Sequence, residues 1–126
     1  TKLKYYKEEI ELRNQIAQKY ASKLNSHIKV QHIPDGYKSV WAQYSILTND
    51  SDHRTKIQSK LKQSDIPSAI YYPLPLHLQT AFKNLEYKQG DFEISETTST
   101  RILSLPMHPY LKAEDIQKIT SIINER

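Results

Sequence analysis

The fold of this sequence is decided by its clearest strand pattern, Ser39-Val40-Trp41-Ala42-Gln43-Tyr44-Ser45-Ile46-Leu47. Successive side chains of a strand point to opposite faces of the sheet. The alternation predicts one face made of Val40, Ala42, Tyr44 and Ile46, and an opposite face made of Trp41, Gln43, Ser45 and Leu47. Because both faces are partly apolar, we expect this strand in the centre of a sheet.

The residues before this strand predict a partner for it. Residues 28–33 also alternate apolar and polar side chains, and Pro34-Asp35-Gly36 follows them. Proline fixes its own φ and glycine accepts positive φ, so these residues are typical of a turn. The two runs are therefore predicted to form an antiparallel hairpin. Two further short strands are predicted at residues 66–72 and 102–105.

Helical periodicity covers much of the remaining chain. Apolar residues recur every three or four positions in residues 2–25, 53–63, 76–85, 92–101 and 113–125. The run from Asn49 to Asp52 supplies N-cap candidates for the second of these helices, and Asp91 is the candidate for the fourth. Helices that alternate with short strands indicate an α+β domain, with a small, mainly antiparallel sheet covered by helices. Residues 1–126 are expected to form a single domain.

The composition indicates a soluble chain with a modest core and a mildly basic surface. The hydrophobic fraction is 37%, the charged fraction is 25% and the formal net charge is +4 over 126 residues. A basic balance is compatible with a nucleic-acid-binding module. However, Lys and Arg are interspersed with Asp and Glu, which favours an ordinary surface. The absence of cysteine excludes disulfides, thiol nucleophiles and Cys-ligated zinc.

No part of the sequence resembles a membrane segment or a signal peptide. Apolar runs stay far below the ~20 residues of a membrane span. The run Lys2-Leu3-Lys4-Tyr5-Tyr6-Lys7 leads into charge and not into an apolar core. A cytoplasmic protein is the expectation.

The first predicted helix begins without a cap and carries more apolar side chains than one buried stripe requires. Tyr5, Tyr6, Ile10 and Leu12 spread around it, so we expect an exposed apolar patch there. Patches of this kind mark interfaces. We interpret this start as a cut inside a longer protein, whose preceding domain would cover the patch.

The common catalytic and phosphate-binding motifs are missing from the sequence. The glycines, Gly36 and Gly90, are isolated, which excludes a glycine-rich phosphate loop. The histidines are scattered, and His77 and His108 are the two that flank proline-rich turns and could meet in space. Two histidines need a carboxylate or water to complete a metal site. No metal site is predicted.

The most unusual segment is Ile70-Tyr71-Tyr72-Pro73-Leu74-Pro75-Leu76-His77-Leu78-Gln79. Phenol hydroxyls, an imidazole and an amide lie on a short loop that prolines stiffen. Tyr71, Tyr72, His77 and Gln79 are therefore candidates to hydrogen-bond a polar ligand. From the composition alone, the alternative is that the two tyrosines are packing residues and that His77 belongs to the start of a helix.

Two aromatic residues of the central strand, Trp41 and Tyr44, also suit stacking on a base or a sugar. A lone tryptophan in a strand is more often a core residue. We favour the packing interpretation for both.

Five segments together resemble the DegT-type sugar aminotransferases, which are pyridoxal phosphate (PLP) enzymes of fold type I. They are Arg13-Asn14-Gln15-Ile16-Ala17-Gln18-Lys19-Tyr20, Ser39-Val40-Trp41-Ala42-Gln43-Tyr44-Ser45-Ile46, Tyr72-Pro73-Leu74-Pro75-Leu76-His77-Leu78-Gln79, Gly90-Asp91-Phe92 and Leu103-Ser104-Leu105-Pro106-Met107-His108-Pro109. They follow the family's order and approximate spacing. The resemblance implies a C-terminal small domain. The large domain, with the cofactor and the lysine that binds it, would precede this chain.

The resemblance also implies where a substrate binds. In relatives the Tyr-Pro and Pro-Leu-His elements lie near the nucleotide-sugar substrate, sometimes at the site of the other subunit of a homodimer. The matching positions are Tyr72 and His77. The residue before the tyrosine is often histidine in relatives and is Tyr71 here, and Glu93 stands where proline is common. The run Trp41-Ala42-Gln43-Tyr44 is most similar to the branch that aminates UDP-linked 3-oxo acetamido-uronates.

The activity implied by the resemblance is a transamination. Glutamate would supply the amino group, and a nucleotide-linked ketosugar of polysaccharide or glycan synthesis would receive it. PLP is expected in the whole enzyme but not on this chain alone, which is expected to be inactive. The alternatives are a stand-alone partner-binding remnant and a small basic nucleic-acid-binding module.

Overall fold

The structure is a computed structural model that describes residues 2–125, and it is an α+β domain as predicted. Over these residues the main elements are α1 (Tyr6–Lys23), β1 (Lys29–Val30), β2 (Tyr44–Leu47), α2 (Ser51–Gln63), α3 (Glu93–Arg101), β3 (Ile102–Leu105) and α4 (Ala113–Asn124). Short 3₁₀ turns lie at Lys2–Lys4, Leu76–Leu78 and Thr80–Leu85. The predicted helix over 76–85 is therefore two 3₁₀ turns.

The sheet is small and antiparallel, with β2 in its centre as the sequence predicts. β1 pairs with one edge of β2 and β3 with the other, in the order β1-β2-β3. The register places Tyr44 opposite Leu105 and Leu47 opposite Ile102. Tyr44 and Ile46 are buried, whereas Ser45 and Leu47 are half-buried, so the predicted alternation holds over these four residues.

The predicted strand over residues 39–47 is too long, because the backbone bends at Trp41. This residue has φ +48°, in the left-handed region that side chains rarely adopt. The bend turns the indole into the core, where its Nε1 donates to Asn14 Oδ1 at 3.1 Å. The Trp41 carbonyl accepts from Arg13 Nη1 at 3.0 Å. Trp41 therefore packs on the same side as Tyr44, with ring centroids 5.2 Å apart, and not on the opposite face.

The predicted antiparallel pairing of the first two strands is confirmed, but the connection is not a tight hairpin. Val30 pairs with Ile46, which leaves a long excursion between the strands. The predicted turn lies within this excursion. Tyr37 N donates to Pro34 O at 3.1 Å, and Gly36 has φ +83°.

The predicted strand over residues 66–72 is wrong. Only Ala69 pairs with the sheet in the described structure, through a bridge to Ser104 of β3. Pro67 has no N–H to donate to a sheet. Asp65, two residues earlier, adopts φ +57° in the turn that follows α2. The segment therefore touches the edge of β3 and then leaves as a loop.

The core lies between the sheet and the helices α1, α2 and α4. Its buried apolar residues are Ile16, Ala17, Tyr20, Ile28, Trp41, Tyr44, Ile46, Ile57, Leu61, Leu103, Leu105, Ile116, Ile119 and Ile123. Asp50 caps α2, as one of the predicted candidates, because its Oδ1 accepts from His53 N at 2.7 Å. Within the described residues, none of the helices has the length and apolarity to cross a bilayer.

Exposed large apolar side chains are concentrated in two places. The N-terminal apolar surface is formed by Leu3, Tyr5, Tyr6 and Val40. All of these except Tyr5 line a groove along α1. This matches the patch expected on the first helix for Tyr5 and Tyr6, whereas Ile10 and Leu12 are half-buried. The second place is the aromatic segment, residues 71–94, whose large exposed side chains are Tyr71, Tyr72, Leu74, Leu76, Phe82, Leu85, Tyr87, Phe92 and Ile94.

Candidate functional site

The candidate ligand residues lie beside an open cleft of about 790 Å³, which we call the aromatic cleft. Its two walls are the loop from Tyr71 to Leu76 and the start of α3, from Asp91 to Thr98. The walls come from separate parts of the chain because the loop leaves the edge of β3 and returns through the 3₁₀ turns to α3. Most of the cleft is thus formed by the aromatic segment and α3, and Ile102 at the start of β3 completes its lining.

Tyr71 and Tyr72 present their rings to the solvent at one end of the aromatic cleft. Their exposed fractions are 44% and 68%. The peptide bond between them is cis, and their rings meet edge to face with centroids 6.0 Å apart. A tyrosine hydroxyl both donates and accepts. These two phenols have the accessibility that contact with a polar ligand requires.

Gln79, the third predicted ligand residue, is used within the loop. Its Nε2 donates to the Leu74 carbonyl at 3.1 Å, across Pro75. Its side chain therefore braces the loop on which Tyr71 and Tyr72 lie. The amide oxygen keeps its acceptor capacity, because this bond uses only a donor.

His77, the fourth predicted residue, is enclosed. Its side chain is 8% exposed, and its Nε2 lies 2.9 Å from Oε1 of Glu96. Its ring centroid is 4.7 Å from that of Phe92. The sequence left a meeting of His77 with His108 open, and in the structure His77 contacts the start of α3.

Glu96 is the residue of this site that the sequence reasoning missed. Its carboxylate accepts from Gly90 N at 2.9 and 3.0 Å, from Phe92 N at 3.3 Å and from His77. Burial alone would raise the pKa of this carboxyl, but the hydrogen bonds from Gly90, His77 and Phe92 outweigh it and lower the pKa. A local signal existed, since an acidic residue in the first turns of a helix often accepts from the orphan N–H groups there.

The predicted cap of α3, Asp91, serves a different purpose. The N-cap position is Phe92, which makes no side-chain cap bond. Asp91 Oδ2 instead accepts from Lys88 N at 2.9 Å and closes the turn before the helix. Glu96 takes over the role that a capping side chain would have, by reaching back to the N–H groups of Phe92 and Gly90.

A second cleft, of about 710 Å³, contains a pair of histidines. The rings of His27 and His53 lie 5.8 Å apart, and Lys56 and Asp52 are among the neighbouring groups. In the part of the chain that the structure describes, no three metal-ligating side chains come together. The residues that line this cleft therefore do not indicate a particular ligand.

The aromatic residues of the central strand serve packing. Tyr44 stacks on Tyr20 with ring centroids 4.8 Å apart, and Trp41 packs against Tyr44. Burial raises the pKa of Tyr44 to about 12, and it also raises that of Tyr20, whose hydroxyl donates to the Pro106 carbonyl at 3.0 Å. Trp41 and Tyr44 therefore lie too deep to stack on a ligand.

The aromatic cleft does not fit PLP. This cofactor is held by a lysine next to hydrogen-bond donors for its phosphate. The walls of the cleft contain no lysine, and two acidic residues, Asp91 and Glu93, line it. Lys60, the half-buried lysine among the described residues, is paired with Glu125 at 3.3 Å on another part of the surface.

A family model matches nearly the whole chain. Residues 1–124 match the DegT/DnrJ/EryC1/StrS aminotransferase family. UDP-2-acetamido-2-deoxy-3-oxo-D-glucuronate aminotransferase from Pseudomonas aeruginosa is 34% identical over 123 residues, which make up 97% of this chain and 33% of that protein. Other curated relatives are transaminases of dTDP-linked amino sugars by name.

Solved structures with the same fold are found at both higher and lower sequence identity. A DegT DnrJ EryC1 StrS aminotransferase from Brucella abortus is 44% identical with a TM-score of 0.85, over 97% of this chain and 32% of that one. NtdA from Bacillus subtilis, solved with bound PMP cofactor, shares the fold at 20% identity and a TM-score of 0.76, over 93% of this chain and 29% of that one. The chain spans about a third of the length of the curated relatives first matched. From these matches, the chain belongs to the DegT/DnrJ/EryC1/StrS aminotransferase family.

Proposed function

We propose that this chain is the C-terminal small domain of a longer PLP-dependent enzyme that transfers an amino group from glutamate to a nucleotide-linked ketosugar. The observation that carries the proposal is the match of residues 1–124 to an aminotransferase family, at a third of the length of its curated relatives. The product would serve polysaccharide or glycan synthesis.

The two exposed apolar surfaces support the presence of a further domain or subunit. The N-terminal apolar surface and the aromatic segment carry large side chains that a monomer of this size would ordinarily bury or keep scattered. In the proposed enzyme the preceding large domain covers the first surface. A second subunit of a homodimer lies against the second.

Within this domain, Tyr71 and Tyr72 are the groups proposed to contact the sugar. Both residues are exposed and line the aromatic cleft, and uncharged phenols suit the hydroxyl and carbonyl groups of a sugar. His77 and Gln79 act through the loop, because each is already hydrogen-bonded within the domain. A UDP-linked 3-oxo acetamido-uronate is the proposed substrate, by likeness to the Pseudomonas aeruginosa relative.

The chemistry of transamination is assigned to the rest of the enzyme. PLP, when bound there, supplies the electron sink that the reaction requires. The described residues of this chain would orient the sugar and limit the access of water to it. No PLP binding and no activity are expected of the 126-residue chain by itself. A cytoplasmic location stays a prediction, as does the lack of nucleic-acid binding.

The proposal is tested with the full-length protein, glutamate and UDP- or dTDP-linked 3-ketosugars. Mass spectrometry of the nucleotide sugar and assay of 2-oxoglutarate should show equimolar amino sugar and keto acid. Production of neither, with any of these sugars and with PLP bound, would contradict the proposed activity.

The domain assignment is tested with the isolated chain. After incubation with PLP and reduction with borohydride, we expect no stoichiometric modification of a lysine by mass spectrometry. A stoichiometric adduct on one lysine would show that the cofactor site lies in this chain and would contradict the assignment.

Stable binding of an unrelated protein without any transamination by the full-length protein would favour the partner-binding alternative.

A further inference from the structure

The two walls of the aromatic cleft are joined by a largely enclosed contact between an imidazole and a carboxylate. His77 lies on the 3₁₀ turn that follows the loop wall, and Glu96 lies on α3, which forms the other wall. Their side chains meet at 2.9 Å although they are 19 residues apart in sequence. Because most residues of both walls are exposed, this contact and the packing of the His77 ring on Phe92 are the interactions that hold the walls together.

The surroundings of this contact favour the ionised form of the Glu96 carboxylate. The Glu96 side chain is 16% exposed, and it receives the N–H groups of Gly90 and Phe92 in addition to His77. A carboxylate that accepts several hydrogen bonds stays ionised. An ionised carboxylate only accepts, so the His77 Nε2 must carry the proton and donate it. A charge-assisted bond of this type is stronger than one between neutral groups.

Direct binding of a sugar by His77 would conflict with this arrangement. The Nε2 of the imidazole is used by Glu96, and Phe92 packs at 4.7 Å from the ring. With 8% of the side chain exposed, a ligand would have to displace these contacts first. Tyr72, by contrast, needs no rearrangement to meet a ligand, since it is 68% exposed.

The geometry points to His77 and Glu96 as a pair of positioning residues that fixes the separation of the two walls of the aromatic cleft, and thereby the fit of the nucleotide sugar. This inference rests on the proposed function for the identity of the ligand. The link between the walls itself rests only on the contacts of this chain. The two parts can therefore be tested separately.

The kinetic test uses the full-length protein with His77→Leu, Glu96→Ala and the double variant. Each single variant removes the same link, so each should raise KM for the sugar about three- to ten-fold, while kcat at saturating sugar stays within about two-fold. The double variant should be no worse than the worse single variant, because coupled residues are not additive. His77→Gln, whose amide N–H can reach where Nε2 lies, should restore most of the affinity.

The matched control is His108→Leu, which removes an exposed histidine that also lies in a proline-rich turn but is not part of the aromatic cleft. Its KM should equal that of the wild type. Circular dichroism should show that every variant keeps the wild-type helix content. A raised KM for His77→Leu combined with an unchanged KM for Glu96→Ala would overturn the inference, because His77 would then act on the ligand directly.

Hydrogen exchange provides a readout that does not depend on turnover. In the same full-length proteins, His77→Leu should speed amide exchange in residues 86–96, which include the start of the wall opposite the substitution, by about ten-fold or more. His77→Gln should return exchange towards the wild-type rate, and α4 should be unaffected. Unchanged exchange in residues 86–96 would overturn the inference. If the wild type transfers no amino group, the proposed function fails, and exchange alone decides whether the pair joins the walls.

Discussion

The helix-and-sheet core and the aromatic segment use apolar side chains in opposite ways. In the core, Tyr20, Ile46 and Leu61 are fully buried between the sheet and the helices. In the aromatic segment, Leu85 and Ile94 belong to a series of large apolar side chains that face solvent. The hydrophobic effect therefore fixes the first region. Hydrogen bonds around the Glu96 carboxylate hold the second region, together with the subunit that is proposed to cover its surface.

The difference between the regions should be largest for truncation of leucines. Leu61→Ala removes a fully buried side chain and should lower the free energy of unfolding by about 2–5 kcal/mol. Leu85→Ala, in the aromatic segment, should change it by no more than about 0.5 kcal/mol. Urea denaturation of the chain measures both. Equal losses would mean that the aromatic segment packs on the domain as tightly as the core does.

A smaller difference is expected for the acids that organise the two regions. Asp50→Ala removes the N-cap of α2, whose Ile57 and Leu61 lie in the core, and should cost about 1 kcal/mol. Asp91→Ala opens only an exposed turn before α3 and should cost less. Urea denaturation of the two variants, measured side by side, checks the order. The reverse order would assign the aromatic segment a larger share of stability than its exposure suggests.

The aromatic segment should matter for ligands where the core does not. If the proposed function holds, Tyr72→Phe removes one hydrogen bond to the sugar, worth about 0.5–1.5 kcal/mol. The kcat/KM of the sugar half-reaction should fall several-fold, whereas the glutamate half-reaction and the stability should not change. Separate half-reaction kinetics measure this. Equal losses in both half-reactions would place Tyr72 away from the sugar.

The smallest expected effect is the acid response of the aromatic segment. The pKa of Glu96 lies below its ordinary value of 4.5, since hydrogen bonds from Gly90, His77 and Phe92 outweigh the opposing effect of burial. A group whose pKa is lower in the folded state stabilises the fold above its unfolded pKa. This stability is lost as pH falls from about 4.5 through the folded pKa. Glu96→Gln should therefore flatten the acid side of the pH dependence of the urea midpoint, and an unchanged profile would contradict it.

Local patterns in the sequence were enough to predict most of the regular structure. The bounds of β3, the central place of β2, the turn at Pro34–Tyr37 and the capping of α2 by Asp50 all follow the predictions. Each depends on residues within a few positions of one another, where periodicity, proline and capping chemistry act directly. The α+β class follows from the order of these elements.

The sequence predicted the candidate site only in part, because its four residues make different contacts in the structure. Tyr71, Tyr72, His77 and Gln79 were recognised together on one loop. Their sequence neighbourhood is the same, yet the structure exposes the two tyrosines and engages His77 and Gln79 in hydrogen bonds. Their roles towards a substrate stay predictions.

The sequence by itself determined where the four α-helices, the turn at Pro34–Tyr37 and the centre of the middle strand lie, since these depend on near neighbours. Only the tertiary structure decided the bend that turns Trp41 onto Asn14, 27 residues away, and the meeting of Glu96 with His77, 19 residues away. Long-range contacts of this kind leave no period in the sequence. They form because a buried N–H or carboxylate must find a partner wherever the fold brings one within reach.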